Sequence, residues 1–381
     1  MFLKVVLCAL AASVFVRGSF AQDEAPAPRA VALRHADHCD RIHRELSARA
    51  GALLDAVTVL AKAPDAASLQ AARAAWTSAR SVYGQIEALR FHGGPIDGVE
   101  PLLNAWPVDE VYIDYVTGQP AAGIVADRAK VPVLAASVLA ELNARGGETN
   151  VSVGWHAIEF LLWGQDLDPA GPGRRPWTDF ADGPDGSPNA ARRRQYLSVV
   201  TAQIVANLRD LARQWVPDAD NFRRRYERDP ADAVRRMLTG AITLTSFELA
   251  GERLAVAYET RDQEQEHSCF SDTTCDDLVA NQLGIDAIFR GGLGEPTSHD
   301  LLGLVRSKDP AVAELLATRL DATLAALRAI PAPFDQAFLG SDDGPGRTAI
   351  RRAITALEEQ AEAIAIAGGV LGYDLPLRRG N

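Results

Sequence analysis

The chain has 381 residues, 47% of them hydrophobic and 23% charged, an ordinary globular balance with enough apolar material for one large core or two smaller ones. Its formal net charge of -11 argues against nucleic acid as a partner, because phosphate binding wants a basic surface. The same charge suits solubility and the attraction of cations.

At the N-terminus, Lys4, the apolar run Val5 to Val16 and the small-x-small Ser19-Phe20-Ala21 read as a secretory signal over residues 1–21. That run is short for a bilayer span, and no later stretch is long and apolar enough for one. The expectation is an exported chain with no transmembrane segment after cleavage, periplasmic in a Gram-negative source. Cleavage removes Cys8 and leaves Cys39, Cys269 and Cys275. Export makes a disulfide among these three plausible, with either partner open to Cys39. Neither a Cys-x-x-Cys-His haem motif nor a paired Cys-x-x-Cys zinc motif is present.

Residues 22–30 read as a flexible lead-in. A long helix is expected from about Val31 to Ala61, with His35, Cys39 and His43 at four-residue steps on one face. That face could be a second metal site, but a solvated polar face is the simpler reading. A second helix, Asp65 to Leu89, carries the aromatic anchors Trp76 and Tyr83 and pairs with the first across Ala63-Pro64-Asp65. Gly93, Gly94, Pro95 and Pro101 then break the helix. Asp97 in this loop either caps a short helix containing Glu100 or joins His92 and Glu100 at a site. Residues 128–146 read as a further helix.

The stretch from Asn150 to Asp166 is mostly apolar, yet His156 and Glu159 lie three residues apart within it. On a helix that spacing puts both on one face, within reach of one ligand. Ser152 is the N-cap candidate and Gly164 the stop. A buried imidazole and carboxylate need hydrogen bonds, counter-charges or a metal. Residues 171–188 are rich in Pro, Gly and Asp and read as a linker or surface loop, partly packed through Trp177 and Phe180.

Ala190 to Trp215 reads as a long amphipathic helix. Its Arg192-Arg193-Arg194 start, like Arg223-Arg224-Arg225, reads as a solvated face; because it opposes the helix dipole, an acidic partner is expected nearby. Pro230 to Asp262 forms one helix with Glu248, Glu252 and Glu259 near one face beside Arg253, and any of these acids that is buried needs an arginine or a metal. The loop at 263–277 is rich in oxygen ligands: Ser271 and Asp272 suit capping, and Asp272, Asp276 and His267 also suit metal binding. It leads into a helix over 274–283. Helices at 298–306, 310–330 and 347–368 complete the chain. Strand patterns are nearly absent. The fold class is all-α: two packed antiparallel bundles, over 31–170 and 189–375.

No His-Glu-x-x-His zinc motif and no Gly-x-Ser-x-Gly elbow are present. A histidine with several carboxylates suits iron, manganese or zinc better than copper(I). The ligand set to consider is His156 and Glu159, with Asp97, Glu100, Glu248, Glu252, His267, Asp272 and Asp276 as further donors.

The segments Gly154-Trp155-His156-Ala157-Ile158-Glu159 and Leu162-Trp163-Gly164-Gln165-Asp166 resemble the Gly-x-His-x-x-Glu signature of the imelysin family. Gly94-Pro95-Ile96-Asp97, Leu249-Ala250-Gly251-Glu252-Arg253 and Glu266-His267-Ser268-Cys269-Phe270-Ser271-Asp272 resemble further motifs in family order. The closing Ala-rich helix up to Leu371-Gly372 fits as well. The resemblance implies an exported, two-bundle helical protein associated with iron regulation and uptake, and a metal role for His156 and Glu159. The implied cofactor is one divalent or ferric ion, iron or zinc, and the implied partners are iron-transport components of the envelope. The family was named as a peptidase, which makes a metallopeptidase using the same pair the alternative; a non-catalytic helical scaffold is the third reading.

Overall fold

The computed structural model describes residues 27–168, 170–184, 186–292 and 299–376. The expected signal segment and residues 22–26 lie outside these. The rest of the expected lead-in is already helical, because Pro28 occupies the first turn of α1, where its missing N–H costs nothing. Among the described residues the fold is all-helical, and the β-pairing is a single isolated bridge between Val116 and Gln119.

In chain order the α-helices are α1 (Pro28–Lys62), α2 (Ala66–Ile86), α3 (Glu110–Ile113), α4 (Gly123–Ala126), α5 (Ala136–Leu142), α6 (Trp155–Trp163), α7 (Ala190–Arg213), α8 (Phe222–Arg228), α9 (Pro230–Thr243), α10 (Val256–Thr260), α11 (Thr274–Arg290), α12 (Leu301–Lys308), α13 (Pro310–Arg328), α14 (Phe334–Leu339) and α15 (Pro345–Val370). A π-helical stretch, Leu244–Ala255, joins α9 to α10. α1 and α2 form a hairpin whose second arm starts in a capping box: Asp65 accepts from Ser68 N at 2.7 Å, and Ser68 Oγ accepts from Asp65 N at 3.0 Å.

Packing differs from the expected division of the chain. α7 lies along α1 and against α6, so it belongs with the N-terminal helices rather than with a bundle starting at 189. α11, α12, α13, α15 and the π-helical stretch pack on one another, and α11 joins the two groups through α2. The buried apolar residues form a continuous cluster that runs through both groups. Segment 171–188 is a strap on the first group: Arg175 N donates to Trp163 O at 2.7 Å, and Phe180 is buried while Trp177 is exposed.

Several local expectations change for identifiable reasons. Only Ala136–Leu142 of the expected 128–146 helix forms. Pro132 cannot continue a helix, Asp127 turns the chain by accepting from Lys130 N at 2.9 Å, and Val131 O is taken by Arg192. α11 runs past the expected stop at 283 because Gly284 is a point of close approach; a Cβ there would lie 2.2 Å from Gln85 O. Ser152 is not the cap of α6. Its hydroxyl donates to Leu139 O at 2.7 Å, and Gly154 occupies the cap position.

Arg192 and Arg193 are buried, not solvated. Arg192 donates to Val125 O at 2.9 Å, and Arg193 donates to Asp114, the acidic partner its position calls for. Arg223 is buried too and pairs with Asp37 at 2.5 Å and Glu227 at 2.6 Å, whereas Arg224 and Arg225 are exposed. Nor is the His35–Cys39–His43 face solvated. His35 and His43 are buried because Trp215, Phe222 and Tyr226 close over α1, and His38 is buried beside Gly292. His35 Nδ1 pairs with Tyr226 Oη at 2.8 Å, and His43 Nδ1 donates to Cys39 O at 2.7 Å.

Cys39, Cys269 and Cys275 are all free thiols, which corrects the disulfide expectation. Cys39 is committed to the core of α1 beside His35, and burial pushes all three thiols up, Cys275 to about 12. No helix among the described residues is long and apolar enough to cross a membrane.

Burial lowers the His43 pKa to about 4. The folded state therefore refuses a proton that the unfolded chain accepts near pH 6.5, so the stability this ring lends is complete above pH 6.5 and is lost as pH falls. Denaturation of wild type and His43→Gln from pH 8 to 4 should show the wild type losing stability relative to the variant by about 1.4 kcal/mol per pH unit below 6.5. Parallel curves would show that His43 titrates normally.

Candidate metal centre

α6 is placed by two glycines. Gly154 (φ +92) precedes it, and a Cβ at that position would lie 2.6 Å from Leu103 O, the group that accepts from Trp155 N at 2.7 Å. Gly164 (φ +72) ends the helix. Between them every residue is buried, and Trp76 of α2 donates its indole N–H to Trp155 O at 3.1 Å.

His156 and Glu159 share one face, as the spacing requires. His156 Nδ1 lies 2.8 Å from Glu159 Oε2. The other oxygen, Oε1, accepts from Ser271 N at 2.9 Å and Ser271 Oγ at 2.7 Å. Both carboxylate oxygens are therefore engaged, while His156 Nε2 is buried without a hydrogen-bond partner. The side chains are 1% and 0% exposed, so the pair is sealed in the interior. Burial pushes Glu159 up to about 8 against the pull of the Ser271 hydrogen bonds, and it holds His156 well below the usual imidazole range.

The ring of His267 meets that of His156 edge to face at 4.8 Å. His267 repeats the same arrangement, its Nδ1 lying 2.8 Å from Asp277 Oδ2. Asp277 also accepts from Ser268 Oγ at 2.7 Å and pairs with Arg80 at 2.9 Å. Arg80 reaches Asn104 in turn, and Asn104 Nδ2 donates to Glu87 Oε1 at 3.0 Å. Glu87 is fully buried and takes Arg253 at 2.8 Å, Arg90 at 3.2 Å and Asn281 Nδ2 at 2.8 Å. Burial alone would raise Glu87 and Asp277, but the guanidinium groups of Arg253, Arg90 and Arg80 outweigh it and hold both well below the usual carboxylate range.

The structure scatters the other expected donors. Asp97 accepts from the N–H groups of Phe91, Gly93 and Gly94 at 2.7–3.0 Å, which pins the loop before it; it does not cap the short helix at Glu100, whose cap position is Val99. Glu100 pairs with Arg90 at 3.1 Å. Glu248 pairs with Arg90 at 3.4 Å and Arg253 at 3.5 Å; the latter, five residues on, is within reach because this stretch is π-helical. Glu252 lies on the same stretch, raised by burial and by Glu248. Asp276 lines a surface groove with Thr77 and Ser81, while Asp277 beside it faces the core. Asp272 joins Glu266 and Asp335: one oxygen from each lies within 4.8 Å of the others, and this is the one set of three or more such ligands among the described residues. Asp97, Glu100, Glu248 and Glu252 therefore do not gather around His156.

Sequence reasoning missed Arg80, Glu87, Ser271, Asp277, Glu266 and Asp335 as parts of these centres. Glu87 carried a signal, an acid set among the apolar residues Ile86, Ala88 and Leu89 at the end of α2. Asp335 carried none, because only the tertiary fold brings it to the loop before α11.

The fold and centre define a class: an all-helical protein that delivers a carboxylate-held histidine into a charged core. The chain belongs to the imelysin family, described as Imelysin, which matches residues 41–364. It is 24% identical over 332 residues to iron-regulated protein A of Synechococcus elongatus, a match covering 84% of this chain and 80% of that relative. Among solved structures, a protein described as an iron-regulated protein A precursor from Parabacteroides distasonis superposes with a TM-score of 0.71 at 19% identity, covering 92% of this chain and 97% of that one. An imelysin-like protein from Psychrobacter arcticum gives a TM-score of 0.62 at 16% identity over 92% and 96% of the two chains. At those identities the likeness establishes the fold.

The Glu87→Gln substitution leaves the guanidinium groups of Arg253 and Arg90 facing a neutral amide in a sealed interior. Removing one partner from a buried charge network costs about 3–5 kcal/mol. Urea denaturation of the variant should show a loss of that size, and a loss under about 1 kcal/mol, the range of exposed pairs, would mean that water reaches the network.

Proposed function

We propose that this is an exported protein of iron acquisition that holds one metal ion at His156. The observation that carries the reading is the doubled carboxylate–imidazole arrangement. Glu159 fixes Nδ1 of His156 and Asp277 fixes Nδ1 of His267, with the two rings in edge contact at 4.8 Å. A histidine that donates one ring N–H to a carboxylate presents the lone pair of its other nitrogen to a metal, and the carboxylate raises its basicity. The unpartnered Nε2 of His156 fits that role. Glu159, with both oxygens engaged, then orients the imidazole rather than ligating directly. Imidazole donors suit iron and zinc, and iron is favoured by the name of the Synechococcus relative.

The Lys4 to Ala21 segment supports export, and cleavage would leave a chain starting at Gln22. Iron-transport components of the envelope are the partners that such a role needs. The peptidase reading requires a cleft for an extended peptide and an open coordination position. The burial of His156 and Glu159 favours holding an ion over hydrolysis.

Elemental analysis of protein purified from its native host tests the assignment. Wild type should carry about one iron per chain, and His156→Ala close to none. Glu159→Gln should bind roughly 10–100-fold more weakly, the usual cost of removing a group that orients a ligand. Equal metal content in wild type and His156→Ala, with lower stability only in the variant, would leave the pair a structural feature of a helical scaffold.

A further inference from the structure

The loop between α10 and α11 has a second side. His267, Ser268 and Ser271 turn toward the His156 centre, whereas Glu266 and Asp272 turn toward α14. Glu266 is 0% exposed, and neither of its oxygens has a hydrogen-bond partner. The Thr274 hydroxyl is near enough to favour the ionised form, yet it makes no bond of good geometry to either oxygen. Asp335, 1% exposed in the first turn of α14, uses Oδ1 to accept from Gln336 N at 2.6 Å and leaves Oδ2 unpartnered. Asp272, partly exposed, leaves Oδ1 unpartnered.

These acids lack what Glu87 has. The charges acting most strongly on Glu266 are Asp335, Asp272 and Glu159, and those on Asp272 are Asp166, Asp335 and Glu159. No guanidinium is among them. Three carboxyl groups that converge in low dielectric without a counter-charge must keep protons or take up a cation. Burial pushes Asp272 up to about 7, so at neutral pH the protons are loosely held.

We infer that Glu266, Asp272 and Asp335 form a binding site for a hard divalent cation of the calcium class, separate from the His156 centre. The donors are all oxygen, which selects calcium, magnesium or manganese over the softer transition metals. Their mutual spacing of at most 4.8 Å matches oxygens about 2.4 Å from a shared ion, inside the calcium range of 2.3–2.6 Å. Asp272 gives the ion its route from solvent, with water completing the shell. The ion ties α14 to the loop that carries Ser271, and so to the hydrogen bonds that hold Glu159. The site stands whether or not His156 holds iron.

Calcium chloride titrated calorimetrically into the full, metal-stripped chain tests the inference, with thermal melts alongside. Wild type should bind one calcium per chain and melt higher when loaded. Glu266→Gln and Asp335→Asn should each weaken calcium binding at least tenfold. Without calcium, Glu266→Gln should melt above wild type at neutral pH, because the folded wild type must hold a proton on Glu266 that the unfolded chain gives up, and the amide carries no such cost. His156→Ala should retain calcium binding. Absence of calcium binding in wild type, or binding unchanged in both carboxylate variants, would overturn the site; loss of binding in His156→Ala would overturn its separateness.

Discussion

The Glu87 carboxylate, buried at the end of α2 and held by Arg253 and Arg90, is the constraint around which the two groups of helices assemble. A carboxylate with no exposure costs several kcal/mol in lost hydration, and only well-aligned donors offset that. The donors come from three directions: Asn104 from the loop before α3, Arg253 from the π-helical stretch, and Asn281 from α11. Small displacements of any of them strand a charge in the core, so the register of α2 against α11 is specified more sharply than apolar packing alone would specify it. Gly84 and Gly284 allow that approach, each facing the partner helix where a Cβ would lie within 2.7 Å of an atom of the other segment.

The same network positions the candidate metal centre. Arg80 lies one turn before Gly84 on α2 and fixes Asp277; Asp277 fixes His267; and the His267 ring meets that of His156. His156 is thus connected to the charged core through a neighbouring imidazole, while Glu159 is held from the opposite side by Ser271. The loop from Glu266 to Thr273 is therefore a partition, with an arginine-rich polar system on one face and an arginine-free acidic one on the other. Two neighbouring positions, Glu266 and His267, belong to different chemistries because the chain enters a series of turns directly after Glu266, over His267–Asp272.

The sequence was legible where the information is local. Periodicity located α1, α2, α7, α13 and α15, and glycines marked the end of α6. It was misleading where a distant segment decides the outcome. His35 and His43 look like a solvated stripe because the rings that bury them, Trp215, Phe222 and Tyr226, come from another part of the chain. Arg192 and Arg193 look like surface charge because Asp114 and the carbonyls that receive them lie on the segment before α5. The His156–Glu159 pair was readable from its spacing. Its setting was not, since Asp97, Glu100 and Glu248 are of the right type to bind metal and are instead bound by backbone N–H groups and arginines. Residue type announces a donor; only the fold says what has already claimed it.

The contrast between Glu87 and Glu159 shows how two equally buried carboxylates come to titrate in opposite directions. Both are completely buried, so desolvation raises both. Glu87 nevertheless stays ionised, because fixed guanidinium charges lie against it. Glu159 receives two hydrogen bonds from Ser271 but no contacting cation of its own, and it sits at about 8, near the edge of ionisation at neutral pH. A cation at Nε2 of His156 would do for Glu159 what Arg253 does for Glu87, stabilising the charged form through the imidazole that lies between them. The chain thus completes the electrostatics of Glu87 with contacting guanidinium groups, whereas Glu159 has the Ser271 hydrogen bonds and the imidazole of His156 in their place.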